Sequence, residues 1–417
     1  MKTVNVLLLG AGNRGMYAYG AYAEMNPAMM RIVAVAETDP AKRRRMQEQH
    51  HIADALAFET WRDAFGKFPD VDAVIIATQD KMHVEPLVMA MEKKKHIICE
   101  KPIVSLPEEI GIIERAAAGF NEVFMTGYVL QYAPFFSRIK SLIEGGRIGK
   151  LIGIDLVENV GHIHMSHSFV RGNWRNKSES SCMILAKSCH DMDMLAWLSG
   201  STCASLSSAG KLNYFKAENA PGGAPPRCLD GCPYMGECPY HVSKIYLTND
   251  VGWPTNVITT DLSMEGRMKA LNEGPYGRCV FRCDNDVVDH QTVLLHFANG
   301  VEASFTMSGF TMETHRSITV FGAKAEISGD MEENRITVKD FSSRNYEVIT
   351  VAEPAGGHSG GDIGLCTDFV RKIQEGEGGG LNSVKKCLES HYMAFAAEES
   401  RLRGAETLKM EEFKAGL

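Results

Sequence analysis

The chain opens on a short, nearly continuous apolar run, residues 3–9, which meets a Gly-Ala-Gly-Asn-Arg-Gly stretch and then a helix-compatible segment, 16–25. Runs this short and without polar alternation predict strands buried on both faces. Residues 31–36, 73–77 and 97–99 repeat the pattern, and segments of helical length at 40–50, 61–65 and 84–95 lie between them. Strands alternating with helices predict a parallel, doubly wound sheet in a first α/β domain, residues 1–127. Beyond it the period changes. One amphipathic helix, 134–144, ends at Gly145-Gly146, and longer alternating strands follow at 151–160, 292–297, 303–308 and 317–321. These predict a second, α+β domain, residues 128–417, built on a large, open, mostly antiparallel sheet with one face on helices. Residues 211–285, rich in Cys, Pro and Gly, have little periodicity and read as an inserted long loop. Residues 376–380 read as a loop tip, and the basic runs 42–45 and 93–95 as solvated helix faces.

Composition narrows the function classes. With 417 residues and about 150 per domain, two or three units are expected. Hydrophobic residues at 44% and charged ones at 23% are ordinary globular usage, which excludes wholesale disorder. A formal charge of −8 supplies no field for a phosphate backbone, so nucleic acid is not an expected partner. No apolar run approaches the roughly 18 residues of a membrane span, and the first one meets glycine too early for a signal-peptide core, so a cytoplasmic location is expected. Eleven cysteines, six of them scattered singly, do not form a secreted disulfide framework.

The glycine stretch carries the first chemistry. Gly10 allows a tight turn, Gly12 lets a backbone approach a pyrophosphate, and Gly15 lets helix and strand pack closely, with Asn13 and Arg14 between them at the helix start. Glu37 follows the second strand, 22 residues after Gly15, where a carboxylate can take the ribose hydroxyls of a dinucleotide. It would repel a 2′-phosphate, which favours NAD over NADP, although Arg43 to Arg45 could accommodate that phosphate.

At Glu100-Lys101-Pro102, after Ala77-Thr78-Gln79 and His83, the chain begins to resemble a known family. With GRIGKL at 146–151, HDMD at 190–193 and GGHSGGD at 356–362, it resembles the glucose–fructose oxidoreductase, inositol dehydrogenase and rhizopine-catabolism (Gfo/Idh/MocA) family over nearly its whole length. The resemblance implies a Rossmann domain, a C-terminal α/β domain with a large open sheet, and NAD(P)-linked oxidation or reduction of sugars and cyclitols. It implies cofactor contacts at Thr78, Gln79, His83, Glu100 and Lys101 beside the glycine turn, with Lys101 also reaching substrate.

Oxidising a secondary alcohol needs a base for the hydroxyl proton and a cation or donor for the developing alkoxide. His190 is the candidate base. Many members carry an aspartate four residues earlier, where this chain has Ala186, so that triad is incomplete. Lys187 could supply a positive group, and Asp193, one helical turn after His190, could orient the imidazole. Arg171, Trp174 and Arg175, in a polar loop, suit sugar hydroxyls and a stacking face, and His358 resembles the family's substrate-side loop.

Gly357-His-Ser-Gly-Gly361 also matches a nucleophile elbow, but Pro354-Ala-Gly-Gly separates Ser359 from any strand, which excludes a serine hydrolase. The remaining alternatives are an NAD-dependent glycosidase working through transient oxidation, and a non-catalytic NAD(P)-binding sensor, against which Lys101 and His190 count. An apolar outer face of the second sheet is expected to be covered by another subunit, giving a homodimer or homotetramer. Finally, Cys228, Cys232 and Cys238, with Cys279 and Cys283, and His241 as an alternate, offer spacings compatible with a structural zinc; free thiols are the alternative.

Overall fold

The structure, a computed structural model, describes residues 2–352 and 357–417. Among the described residues six short strands form the first sheet: β1 (Val4–Leu9), β2 (Met30–Ala36), β3 (Ala57–Phe58), β4 (Ala73–Ile76), β5 (His96–Cys99) and β6 (Phe124–Thr126). All pair in parallel, in the order β3-β2-β1-β4-β5-β6. The order reverses between β1 and β4, which opens a crevice at the carboxyl ends of the strands, where such sheets bind ligands. Both faces are covered, as the unbroken apolar runs require. Leu7 and Leu9 pack with Phe58 and Trp61, while Val6 and Leu8 pack with Tyr19, Tyr22 and Phe369.

Among the described residues the second sheet has nine strands: β7 (Leu151–Asn159), β8 (Cys203–Lys211), β9 (His290–Phe297), β10 (Glu302–Ser308), β11 (His315–Gly322), β12 (Ala325–Asp330), β13 (Arg335–Asp340), β14 (Tyr346–Thr350) and β15 (Leu408–Lys409). Their order is β14-β13-β12-β11-β7-β10-β9-β8-β15, and every pair is antiparallel except β7 with β10. The inner face, with Leu156, Val293, Phe305, Ile318 and Val338, is buried with the helices Pro134–Glu144, Cys189–Ser199 and Gly380–Leu402. The last of these helices also reaches β6 and the helix Glu109–Ala116, and the helix Gly361–Glu375 packs Leu365, Cys366 and Phe369 onto the first sheet. The end of the chain therefore locks the two sheets into one body.

Two expectations change. The outer face of the second sheet is polar rather than apolar: Ser304 donates to Asp155 (2.5 Å), Thr292 and Thr306 pair across strands (3.3 Å), and Lys339 meets Glu326 (2.5 Å). Its exposed apolar residues, Leu294, Phe321, Tyr346 and Val348, are spread over three strands, β9, β11 and β14. The insertion is more than a loop, since it contains the helices Val242–Tyr246, Thr255–Ile258 and Met264–Glu273 around a small core of Cys228, Val242, Ile245, Tyr246 and Leu271.

Candidate active site

The glycine turn is shaped as its sequence requires. Gly10 has φ +91°, and a side chain there would drive its Cβ to 2.5 Å from the Ala77 carbonyl oxygen; at Gly15 a Cβ would meet the Gly10 oxygen at 2.1 Å. Gly12 differs, because a Cβ on it would meet nothing within 4 Å. That edge, just before the helical segment Gly15–Gly20, is open, and Asn13 beside it is exposed. Glu37, just past β2, accepts from the backbone N–H of Ala11 (2.6 Å) and of Asp39 (2.9 Å), which ties this carboxylate to the turn. Arg43 donates back to the carbonyl oxygen of Glu37. Glu37→Ala is therefore expected to weaken NAD binding about tenfold, the loss of roughly 1.4 kcal/mol, and to narrow the gap to NADP. Isothermal titration with both cofactors checks this, and an unchanged preference would place ribose recognition elsewhere.

Several residues assigned to the cofactor are committed to the scaffold around it. Arg14 pairs with Glu100 (2.6 Å) and Asp362 (2.8 Å), and the Tyr19 hydroxyl donates to the same Glu100 carboxylate (2.7 Å). Burial opposes the charge on Glu100, yet Arg14 and Tyr19 hold its pKa below the ordinary value. Glu100 thus fastens the glycine turn to the strand end that presents Lys101. His83 is fully buried, its ring nitrogens at 2.7 Å from the Pro102 carbonyl oxygen and 3.0 Å from that of Thr78. It acts as a staple rather than a cofactor contact. Thr78 donates to the Met82 carbonyl (3.2 Å), and Gln79 is exposed at the start of the turn Asp80–Met82.

Lys101 leaves the first domain at the end of β5 and donates from Nζ to the Ala186 carbonyl oxygen at 2.8 Å. The position where the family often has a carboxylate is thus met here by backbone oxygen. Four residues on, in the first turn of the helix Cys189–Ser199, His190 is 8% exposed, with the Tyr128 ring edge-on at 5.9 Å. Tyr128 meets Ser390 (2.5 Å) and His391 (3.1 Å), and His391 accepts the N–H of Ile103 at 2.8 Å. Burial lowers the His391 pKa to about 4, so it stays neutral and holds the strand end carrying Lys101 against the helix Gly380–Leu402.

Under this pair lies a buried ion cluster. Lys187 pairs with Glu158 (3.0 Å), and Arg316 pairs with both Glu158 (2.7 Å) and Asp191 (2.8 Å). Burial lowers the Lys187 pKa, opposed by Glu158, and raises that of Asp191, opposed by Arg316. Lys187 is therefore held inside the protein by a carboxylate. Glu158 was not anticipated from the sequence, although it follows Leu156 on the inward side of β7, where a carboxylate requires a buried partner. His164, also missed, packs on Phe169 (5.8 Å) and Trp253 (4.9 Å). Its pKa is pushed well down, first by burial, then by the charge of Lys187, with Arg316 and Lys101 adding to it. An uncharged imidazole therefore stands beside the cationic groups of the cleft.

Four expectations are corrected. Asp193 accepts from Gln131 Nε2 at 2.7 Å and lines a cavity of about 230 Å³ with Tyr132 and Lys386, so its partner is Gln131 rather than His190. Burial raises its pKa to about 7, opposed by the Gln131 hydrogen bond. A folded pKa above the unfolded value of about 3.9 means that its contribution is intact below about pH 4 and is lost as pH rises through 7. Asp193→Asn should raise the thermal midpoint at pH 8 and leave it unchanged near pH 4; equal shifts at both would contradict the assignment. Arg171 is fully buried and donates to the carbonyls of Arg278 and Tyr240 (2.8 Å each), which makes it a staple of the insertion and not a substrate ligand. Trp174 and Arg175 face protein partners: Trp174 Nε1 donates to Asp80 (2.9 Å), closing the second domain onto the first, and Arg175 pairs with Asp284 (2.8 Å). His358 falls on a side chain outside the described residues.

The cysteines fail as a zinc centre. Among the described residues no group of three or more metal-ligating side chains is placed to hold an ion. Cys228, Cys232, Cys238 and Cys279 line one small cavity, but the Arg171 guanidinium lines it too, 3.8 Å from the Cys228 sulfur, and would repel a cation. Cys283 donates to the Cys279 carbonyl (3.4 Å), and His241 is engaged with Ser243 and the Cys228 carbonyl. All five are free thiols.

Comparison with known families settles the lineage. Residues 4–128 match an oxidoreductase-family NAD-binding Rossmann model and residues 140–377 the C-terminal α/β model of the same family. The chain belongs to the Gfo/Idh/MocA oxidoreductase family. It is similar to YteT of Bacillus subtilis (strain 168), 23% identical over 390 residues and 88% of each chain. It is 30% identical to a 2,7-anhydro-N-acetylneuraminate hydratase of Mediterraneibacter gnavus over 200 residues, 48% of this chain and 50% of that one. A levoglucosan dehydrogenase of Pseudarthrobacter phenanthrenivorans is 32% identical over 158 residues, 36% of this chain and 40% of that one. Among solved structures, a levoglucosan dehydrogenase in complex with NADH and levoglucosan superimposes with a TM-score of 0.72 at 19% identity, covering 98% of this chain and 99% of the other, a likeness of fold. This Gfo/Idh/MocA member binds NAD(H) through its first domain. Among the described residues, none of its helices is long and apolar enough to cross a membrane.

Proposed function

We propose that the protein is an NAD-dependent dehydrogenase acting on a secondary hydroxyl of a sugar, sugar derivative or cyclitol. The observation that carries this reading is the contact of Lys101 Nζ with the Ala186 oxygen, which brings a cation from the nucleotide domain to the segment presenting His190. NAD, when bound, supplies the hydride acceptor. His190 takes the hydroxyl proton as the C–H bond is broken, and the Lys101 ammonium steadies the oxygen on which negative charge gathers. In reduction the same two groups return the proton. Lys187 acts at one remove, through the ion cluster beneath. Relatives whose names mark them as levoglucosan and inositol dehydrogenases support the substrate class. Absence of a basic field and of a membrane-spanning helix among the described residues fits a small-molecule substrate and a cytoplasmic setting. Assembly as a homodimer or homotetramer would rest on a polar, hydroxyl-rich sheet face.

The experiment is to offer the purified protein a panel of sugars, cyclitols and glycosides with NAD while following NADH absorbance and aglycone release together. Net NADH supports the dehydrogenase. Aglycone release that needs NAD without accumulating NADH selects the transient-oxidation glycosidase instead.

A further inference from the structure

The insertion sets one aromatic residue, unused by the chemistry above, against the histidines that follow β7. Trp253 lies in the segment before the helix Thr255–Ile258, and 46% of its surface is exposed. Its ring is held edge-on by two histidines of the segment following β7, His164 at 4.9 Å and 77° and His167 at 5.5 Å and 74°. His167 is itself fixed by stacking on Tyr276 (4.6 Å, 12°) and by the Tyr246 hydroxyl (2.9 Å), both from the insertion. This indole is therefore clamped while much of its surface stays open to solvent. An exposed tryptophan so clamped loses little side-chain freedom on binding. His164 joins it to the reaction centre, because its segment follows β7, whose Glu158 pairs with Lys187 (3.0 Å), the residue next to the Ala186 carbonyl that receives Lys101 (2.8 Å).

We propose that Trp253 is a stacking platform for the apolar C–H face of a second ring, and that the protein acts on a saccharide of two rings joined through a glycosidic bond. This rests on the dehydrogenase reading and names its substrate class. The ring carrying the reacting hydroxyl sits at Lys101 and His190, and the adjoining ring lies outward, over the indole supplied by residues 211–285. A rigid aromatic face rewards burial of an apolar ring face, and that burial discriminates a disaccharide from its monosaccharide.

The test uses cellobiose, maltose and lactose beside glucose and galactose, with kcat/KM read from NADH formation and binding to the NADH-loaded protein read by titration calorimetry. Wild type should prefer at least one disaccharide to its component monosaccharides by tenfold or more in both readouts. Trp253→Ala should erase that preference and leave the monosaccharide values within about twofold, while Trp253→Phe, which keeps an aromatic face, should retain most of it. Monosaccharides and disaccharides handled equally, with a ratio that Trp253→Ala does not move, would overturn this inference and leave the dehydrogenase standing. A panel in which no sugar of either size is bound or oxidised would overturn both.

Discussion

Replacing Lys101 with alanine is expected to reduce kcat by a thousandfold or more, about 4 kcal/mol in the barrier, and to raise the dissociation constant for NADH. The ammonium extends from just past the carboxyl end of β5 with its donor aimed at the Ala186 carbonyl. Removing a single positioned donor from a developing oxyanion costs about 10²–10³ in rate, and here the same group fixes the approach of the two domains. His190→Ala should also abolish turnover, yet leave NADH affinity within about threefold, because the glycine turn, Glu37 and Lys101 stay in place. Steady-state kinetics with a fluorescence titration of NADH separates the two. Turnover of His190→Ala within a few-fold of wild type would remove the histidine from the proton-transfer role.

The second large effect is on stability. Arg316→Ala should destabilise the fold by roughly 3–5 kcal/mol, enough to yield aggregated protein or a steep loss in denaturation midpoint. Arg316 is nearly fully buried and is shared by Glu158 and Asp191, so its loss leaves two carboxylates facing Lys187 alone. The double variant Arg316→Met with Asp191→Asn removes one charge of each sign and should recover a substantial part of the loss. If the single and the double variants unfold at the same denaturant concentration, the cluster is not held together by charge.

Much of this architecture was legible in the sequence because it depends on local pattern. Apolar runs without alternation can be buried only on two faces, so the first sheet followed from strands such as Val4–Leu9 and Ala73–Ile76. Gly10, Gly15 and Glu37 were legible for a similar reason, since each is demanded by the backbone around it. The strand Cys203–Lys211 was not, being rich in Ser, Ala and Gly, and it is held instead by β9 and by the helix Gly380–Leu402. The polar outer face of the second sheet hid behind the Ser and Thr that alternate with the inner apolar residues.

The site divided along the same line. Lys101 and His190 sit in motifs of adjacent residues, so a reading of the sequence can propose them. Arg171, Asp193 and His83 carry reactive side chains but are occupied by partners 62 to 107 positions away or by neighbouring carbonyl groups. Glu158, Arg316 and His164 matter through long-range pairing that no spacing rule shows. The cysteine spacing suggested a metal because spacing cannot reveal that a guanidinium lies among the thiols.

Hydride transfer from carbon is the central claim, and isotope placement tests it most directly. A sugar or cyclitol that the protein oxidises is prepared with deuterium on the carbinol carbon and incubated with NAD, and the cofactor and carbohydrate are then analysed by mass spectrometry. The account predicts one deuterium in the accumulated reduced cofactor, a ketone product without it, and slowed turnover that Lys101→Ala and His190→Ala both abolish. Deuterium recovered in the carbohydrate product, with no label accumulating in the cofactor, would contradict it.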